Sequence, residues 1–166
     1  MQVYISGPLQ GAQDLAAARS LYEELAEALI DAGHSPYVPH LHTDPEFAAG
    51  MDASAVYHRD VAQLLSADVV VAHVGAPSTG VGAELAIAVH HGIDIVAFSR
   101  IGESVSRFAE GLLRDSASTL LNCLSVEDCR TRVVAALADA PPSKCPAAMG
   151  RDGGDLDSLR WEFAER

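Results

Sequence analysis

Two carboxylates, Glu84 and Asp60, stand where an acidic side chain can act on a bound molecule. The run Asp68-Val-Val-Val-Ala-His-Val-Gly-Ala-Pro-Ser-Thr-Gly-Val-Gly-Ala-Glu84-Leu opens with a mostly apolar stretch. That stretch reads as a strand buried on both faces of a parallel sheet. Pro77, Ser78, Gly80 and Gly82 then make a turn that lets a ligand approach the backbone closely. The spacing Val81, Leu85, Ala88, Val89 predicts a helix from about Val81. Glu84 would lie in its first turn, above the carboxyl end of a strand, where open α/β sheets bind ligands. The helix dipole and free N–H groups there favour an anion, so Glu84 is expected to be ionised and able to act as a nucleophile. Simple dipole pairing is the bland alternative; a capping box is not, because position 81 is Val rather than Ser or Thr.

Asp60 is the second anomaly. On a helix predicted over 55–66 the apolar stripe runs Val56, Tyr57, Val61, Leu64 and Leu65, and Asp60 falls on the same inward face. A buried carboxylate is costly unless it is paired or functional. Asp60 is therefore either a structural acceptor for a neighbouring loop or a general acid with a raised pKa beside Glu84. Tyr4 and Ser6 share one face of a first strand that ends at the same place, although core packing also explains a tyrosine there. Gly7 and Gly11 either cradle a phosphate or merely turn the chain. Tyr37, His40 and His42 flank the end of a second strand, as base-pocket lining or as solvated loop groups. His58, His73, His90 and His91 have no metal-ligand spacing, so neither a metal site nor a cofactor is expected.

These groups need a scaffold, and the pattern supplies one. Strands are predicted at Gln2–Ser6, Tyr37–Val38, Asp68–Val74, Ile93–Phe98 and Thr119–Leu124. Helices are predicted at Asp14–Ala32, Ala55–Ser66, Val81–His91, Ser104–Arg114 and Val126–Ala138, with a loop over Pro39–Ser54 and Gly33 closing the first helix. This alternation implies an α/β, doubly wound, flavodoxin-like five-stranded parallel sheet of order 2-1-3-4-5, with its crevice between the first and third strands. Gly7-Pro8-Leu9-Gln10-Gly11 would then face Ser78–Glu84 across one pocket. Composition shifts to Pro, Lys, Ala, Gly and Asp from Pro141, so a domain over 1–140 and a flexible linker and tail over 141–166 are expected.

The 166-residue chain carries a net charge of −12 and is 49% hydrophobic. That balance suits a globular core and argues against a nucleic-acid partner, which needs clustered Lys and Arg. A small anion remains compatible, because backbone N–H groups bind phosphate without net positive charge. No apolar run approaches the roughly 18–20 residues that cross a bilayer, and the first residues lack a basic signal region. A cytoplasmic protein without a membrane partner is expected. Cys123, Cys129 and Cys145 form no C-x-x-C pair, so buried fillers and one exposed thiol are expected.

Three segments in order give the chain a recognisable likeness. Tyr4-Ile-Ser-Gly-Pro-Leu-Gln-Gly11, Tyr57-His-Arg-Asp60 before Leu64-Leu-Ser-Ala-Asp-Val-Val-Val-Ala72, and Pro77-Ser-Thr-Gly-Val-Gly-Ala-Glu-Leu85 together resemble the nucleoside 2-deoxyribosyltransferase family. Within it the chain is most similar to the 2′-deoxynucleoside 5′-phosphate N-hydrolase branch, over about residues 2–125. The resemblance implies a flavodoxin-like homodimer with shared active sites and a covalent glycosyl-enzyme mechanism. Glu84 would be the nucleophile, Asp60 would protonate or orient the leaving base, and Tyr4 would position Glu84. Ser6, Gly7, Pro8, Leu9, Gln10 and Gly11 would line the substrate site in the first loop. Ser78, Gly80 and Gly82 would contact the 5′ end, His40 would lie near the base, and Ser118 would complete the pocket of a second subunit. The first loop departs from the phosphate-preferring pattern, with Pro8 and Gln10 where that branch has a hydroxyl residue and an arginine.

The implied activity is cleavage of the N-glycosidic bond of a (deoxy)nucleoside 5′-monophosphate or nucleoside, releasing the free base. Base exchange by a 2-deoxyribosyltransferase is the alternative outcome of the same intermediate. A non-catalytic nucleotide sensor would use the same crevice but need not keep both acids and Tyr4. A phosphoribohydrolase would carry an Arg and a Gly-Gly turn near the Glu, and neither is present.

Overall fold

The computed structural model describes residues 1–9, 14–44 and 48–139. Gln10, Gly11, Cys145 and the expected tail over 141–166 lie outside them. Five strands, β1 (Gln2–Ser6), β2 (Ser35–Tyr37), β3 (Val69–His73), β4 (Asp94–Arg100) and β5 (Thr119–Cys123), pair in the order β2-β1-β3-β4-β5. Every pairing is parallel. The expected doubly wound sheet is therefore the observed one, and its strand order reverses between β1 and β3.

Helix α1 (Leu15–Asp31) starts where the Asp14 side chain accepts the Ala17 N–H at 2.9 Å. It buries Leu21, Tyr22, Leu25, Ala26 and Leu29 against the sheet. It ends ahead of Gly33, whose φ of +82° is the left-handed value that glycine adopts without strain. The segment expected to be a plain loop contains a short helix, α2 (His40–Thr43), at the carboxyl end of β2. Helix α3 (Ala53–Ser66) starts two residues early because Asp52 caps it, accepting the Ala55 N–H. Its inward stripe is narrower than expected: Val61 and Leu64 are buried, whereas Tyr57 and Leu65 are 46% and 38% exposed.

Helix α4 (Thr79–His90) also starts early, because the Ser78 hydroxyl caps it by accepting the Val81 N–H at 3.3 Å. Glu84 consequently stands in the second turn rather than the first. The expected dipole stabilisation, which fades within one turn, is not what holds its charge. Helices α5 (Arg107–Asp115) and α6 (Val126–Asp139) complete the chain. Helices α1 and α6 cover one sheet face around Ile5, Val71, Phe98 and Val133. The other face packs Tyr4, Val70 and Ala72 against Leu64, Val81, Leu85 and Leu113 of α3, α4 and α5. All five residues of β3 are buried, as a central parallel strand requires. Cys123 and Cys129 are buried in the α6 side of the core. Among the described residues no helix is long and apolar enough to cross a membrane.

Candidate active site

The first carboxylate is fixed from the sheet. Tyr4 and Ser6 alternate along β1, so both point to the face covered by α4. The Tyr4 hydroxyl donates to Oε1 of Glu84 at 2.8 Å, and the Ser6 hydroxyl donates to Oε2 at 2.5 Å. Tyr4 and Ser6 are both wholly buried. Two hydroxyl donors, one per oxygen, are the arrangement an ionised carboxylate accepts. Burial raises the Glu84 pKa above the ordinary value; the bonds from Ser6 and Tyr4 pull it back, and the nearby Asp60 charge adds to the rise. Burial also raises the Tyr4 pKa, reinforced by the Glu84 charge, so the phenol keeps its proton and donates.

The second carboxylate is held from the opposite side. Asp60 on α3 accepts the Tyr37 hydroxyl at 2.9 Å on Oδ1 and faces the Thr43 hydroxyl at 3.1 Å on Oδ2. Tyr37 at the end of β2 is in register with Tyr4 and stacks on it with centroids 5.7 Å apart. His42 stacks on the outer face of Tyr37 at 4.7 Å. The Thr43 hydroxyl also reaches the Pro39 carbonyl at 2.9 Å. Having one proton, it can donate to Pro39 and accept a proton carried by Asp60. Burial raises the Asp60 pKa, and the Tyr37 and Thr43 hydroxyls oppose that rise. The site thus joins two partly desolvated carboxylates, both biased toward holding a proton and electrostatically aware of one another.

A cavity of about 510 Å³ opens between them at the carboxyl ends of β1 and β3. Gly7, Leu9, His40, Ser78, Gly80, Asp60 and Glu84 line it, so both loops and both acids converge as expected. Ser6 and Tyr4 lie beneath it as the donors to Glu84. The Pro8 carbonyl faces the Tyr22 hydroxyl at 3.2 Å. His40 is buried and bonded to Glu23 at 2.9 Å, not the solvated loop group it could have been. Pro8 is buried and does not line the cavity, and two further expected residues lie elsewhere in the chain. Gly82 is the fourth residue of α4 and faces a groove between α4 and α5. Ser118 precedes β5, at the amino edge of the sheet, and bonds the Ser116 hydroxyl at 2.7 Å.

Sequence reasoning missed several groups here. Thr43 was hidden in a presumed loop, and its bond to Asp60 exists because α2 turns it inward. Arg19 and Asp44 form an ion pair on the cavity wall, joining α1 to the end of α2. Tyr37 was legible as lining at the end of the second strand, but its bond to Asp60 and its pairing with Tyr4 were not. The arrangement can place a carboxylate nucleophile and a carboxylic acid on one substrate, which is the equipment for acetal-type bond cleavage.

Comparisons with known proteins agree in direction. The family model described as nucleoside 2-deoxyribosyltransferase matches residues 3–124. A protein of Thermofilum pendens assigned as 2′-deoxynucleoside 5′-phosphate N-hydrolase 1 is 34% identical over 116 residues, covering 68% of this chain and 78% of its own. The 5-hydroxymethyl-dUMP N-hydrolase of Mus musculus is 37% identical over 102 residues, 59% of this chain and 57% of its own. Among solved structures, the Clostridium botulinum CMP N-glycosidase superimposes with a TM-score of 0.63 at 17% identity, covering 80% and 97% of the two chains. The 2-deoxyribosyltransferase of Bacillus psychrosaccharolyticus gives 0.57 at 21% identity, covering 78% and 90%.

Proposed function

Because the chain belongs to the nucleoside 2-deoxyribosyltransferase family, in the branch of the 2′-deoxynucleoside 5′-phosphate N-hydrolases, we propose that it hydrolyses the N-glycosidic bond of a nucleoside 5′-monophosphate or nucleoside and releases the free base. The observation that carries this reading is Glu84 clamped by Tyr4 and Ser6 at the cavity, with Asp60 on the same cavity. In the first step a Glu84 oxygen bonds to C1′ as the C1′–N bond breaks. The departing base takes its proton from Asp60. In the second step Asp60 accepts a proton from water as the water oxygen bonds to C1′. The sugar leaves Glu84, which recovers its charge. Tyr4 and Ser6 hold both oxygens of Glu84 without neutralising it, so the carboxylate is oriented yet stays a nucleophile.

The 5′ end is proposed to lie at the start of α4, by Ser78 and Gly80. There the Ser78 side chain accepts the Val81 N–H, and the first N–H groups of a helix, which have no partner within it, favour an anion. The base is proposed to lie by Asp60 and His40. Ser118 cannot serve its own crevice from the amino edge, so its proposed role requires a homodimer in which it reaches a second copy's crevice.

The test is incubation with a panel of nucleosides and 5′-monophosphates, with and without a second free base. Chromatography follows released base, and mass spectrometry of the acid-quenched protein looks for a sugar ester. Base release with a transient adduct on the Glu84 peptide is the expected result. New nucleoside formed in place of free sugar would make the chain a transferase. Tight binding without turnover would make it a sensor.

A further inference from the structure

A chain of buried polar groups crosses the carboxyl edge of the sheet, reaching the cavity wall at Tyr22, and takes no part in bond cleavage. Glu103, in the turn after β4, accepts from Nε2 of His73 at 2.8 Å. His73 is the last residue of β3, and its Nδ1 lies 3.0 Å from the Tyr22 hydroxyl on α1. That hydroxyl lies 3.2 Å from the Pro8 carbonyl in the first loop. His73 and Tyr22 are 4% and 2% exposed. The assembly is rigid at each link. The backbone N–H of Arg100 donates to Glu103 at 2.7 Å and its guanidinium Nε at 2.8 Å. The His73 ring stacks on Phe98 at 4.9 Å. The Tyr22 ring lies so close to Gly7 that a Cβ there would fall 2.2 Å from its Cζ. The first loop therefore rests directly on Tyr22.

Proton counting shows what this chain can do. Glu103 takes the Nε2 proton, so a neutral His73 offers Nδ1 as an acceptor and draws the single Tyr22 proton to itself. A doubly protonated His73 donates from Nδ1 to the phenol oxygen instead, and Tyr22 turns its proton to the Pro8 carbonyl. We propose that Tyr22 and His73 are positioning residues for the first loop, with Tyr22 clasping Gly7–Pro8 when His73 carries its second proton. Burial lowers the pKa of His73, and Glu103 opposes that. Clasping therefore strengthens as pH falls below the ordinary histidine range. The groups facing the pair are Glu103 and Arg100 from the β4 end and His40, whose ring lies 6.3 Å from that of Tyr22.

The consequence for binding rests on the proposed reading of the crevice; the clasp itself does not. The experiment uses the full chain, with a free nucleoside as substrate, because a 5′-phosphate titrates in the same range. At each pH the wild type is compared with Tyr22→Phe, which keeps the ring against Gly7 and removes only the hydroxyl. The expected result is KM raised about three- to tenfold in the variant at low pH, the worth of one hydrogen bond. The two proteins should converge above neutrality, with kcat within about twofold throughout. A KM ratio that does not change with pH overturns the clasp. Nuclear magnetic resonance reads the clasp without turnover. The Leu9 amide should shift with the His73 ring titration in wild type and lose that shift in Tyr22→Phe. An indifferent Leu9, or the same shift in the variant, overturns the proposal. A wild type that releases no base while Leu9 still tracks His73 removes only the catalytic reading.

Discussion

The two edges of this sheet both carry cavities, and the larger one is the less equipped. At the amino edge a space of about 790 Å³ is lined by Asp68, Asp94, Ser118 and Arg132, among others. Its polar groups tie the sheet together: Asp68 accepts the Gln2 N–H at 2.7 Å at the amino end, and Arg132 donates to the Asn122 carbonyl of the edge strand β5. At the carboxyl edge the space is about 510 Å³, but two carboxylates are drawn out of water there and held by hydroxyls. An aspartate that stitches strand ends is spent on structure. One held by neutral donors at a raised pKa stays available for chemistry. Volume does not separate the two edges; the state of their charges does.

The sharpest way to break this contrast is Glu84→Gln. Base release should fall by on the order of 10³-fold or more, the scale expected when a covalent nucleophile is lost. Near-wild-type turnover would remove the nucleophile assignment. The same variant should be more stable than wild type at neutral pH. Burial raises the Glu84 pKa in the folded state, so folding costs free energy once the unfolded chain ionises, and that cost is absent at pH values below the unfolded pKa. Thermal melts at pH 4 and pH 8 should show the gain growing with pH.

Asp60→Asn should cost about 10²-fold with poorly leaving bases and less with activated ones, as for loss of a general acid. Retained specific activity in a protein that merely melts early would make Asp60 structural. The wild-type kcat/KM should be bell-shaped with pH. Activity falls on the acid side as the Glu84–Asp60 pair takes up a second proton and on the basic side as it loses the one it shares. Both limbs are displaced above ordinary carboxylate values by burial, and their midpoints belong to the interacting pair. Asp60→Asn should remove the basic limb.

Smaller effects sharpen the picture. Gln10→Arg should raise kcat/KM for monophosphates about tenfold relative to nucleosides, the worth of one charge-assisted hydrogen bond. A wild-type preference already above about a thousandfold would show that other groups bind the phosphate. Asp94→Asn at the amino edge should change kcat/KM by less than about twofold, as for an exposed substitution. A larger loss would put function at the wrong end of the sheet.

What could be read from the sequence follows the range of the forces involved. The strand order, the crevice and the meeting of Glu84 with Asp60 follow from periodicities and from one topological rule. The start of α4 was misplaced because Gly80 and Gly82 look like turn residues, and only the cap made by Ser78 reveals them as helical. The short α2 hid between Pro39 and a polar stretch too brief to show a period. Tyr22, His73 and Glu103 were invisible as a group because 51 and 30 residues separate the partners. Such a bond leaves no local pattern in the sequence. Tyr37 and Tyr4, by contrast, meet because β1 and β2 pair in register, which brings them side by side.

The Glu84 clamp also sets when in folding the protein becomes active. Its donors on β1 lie 80 and 78 residues before it in the chain. The clamp closes only after β1 and β3 have paired and α4 has docked across both. Contacts of such separation carry a large closure cost and form late. Helices α1 and α3 can be present in a refolding chain that still cannot cleave a glycosidic bond. Recovery of activity should therefore lag recovery of helical signal, making turnover a clock for completion of the sheet.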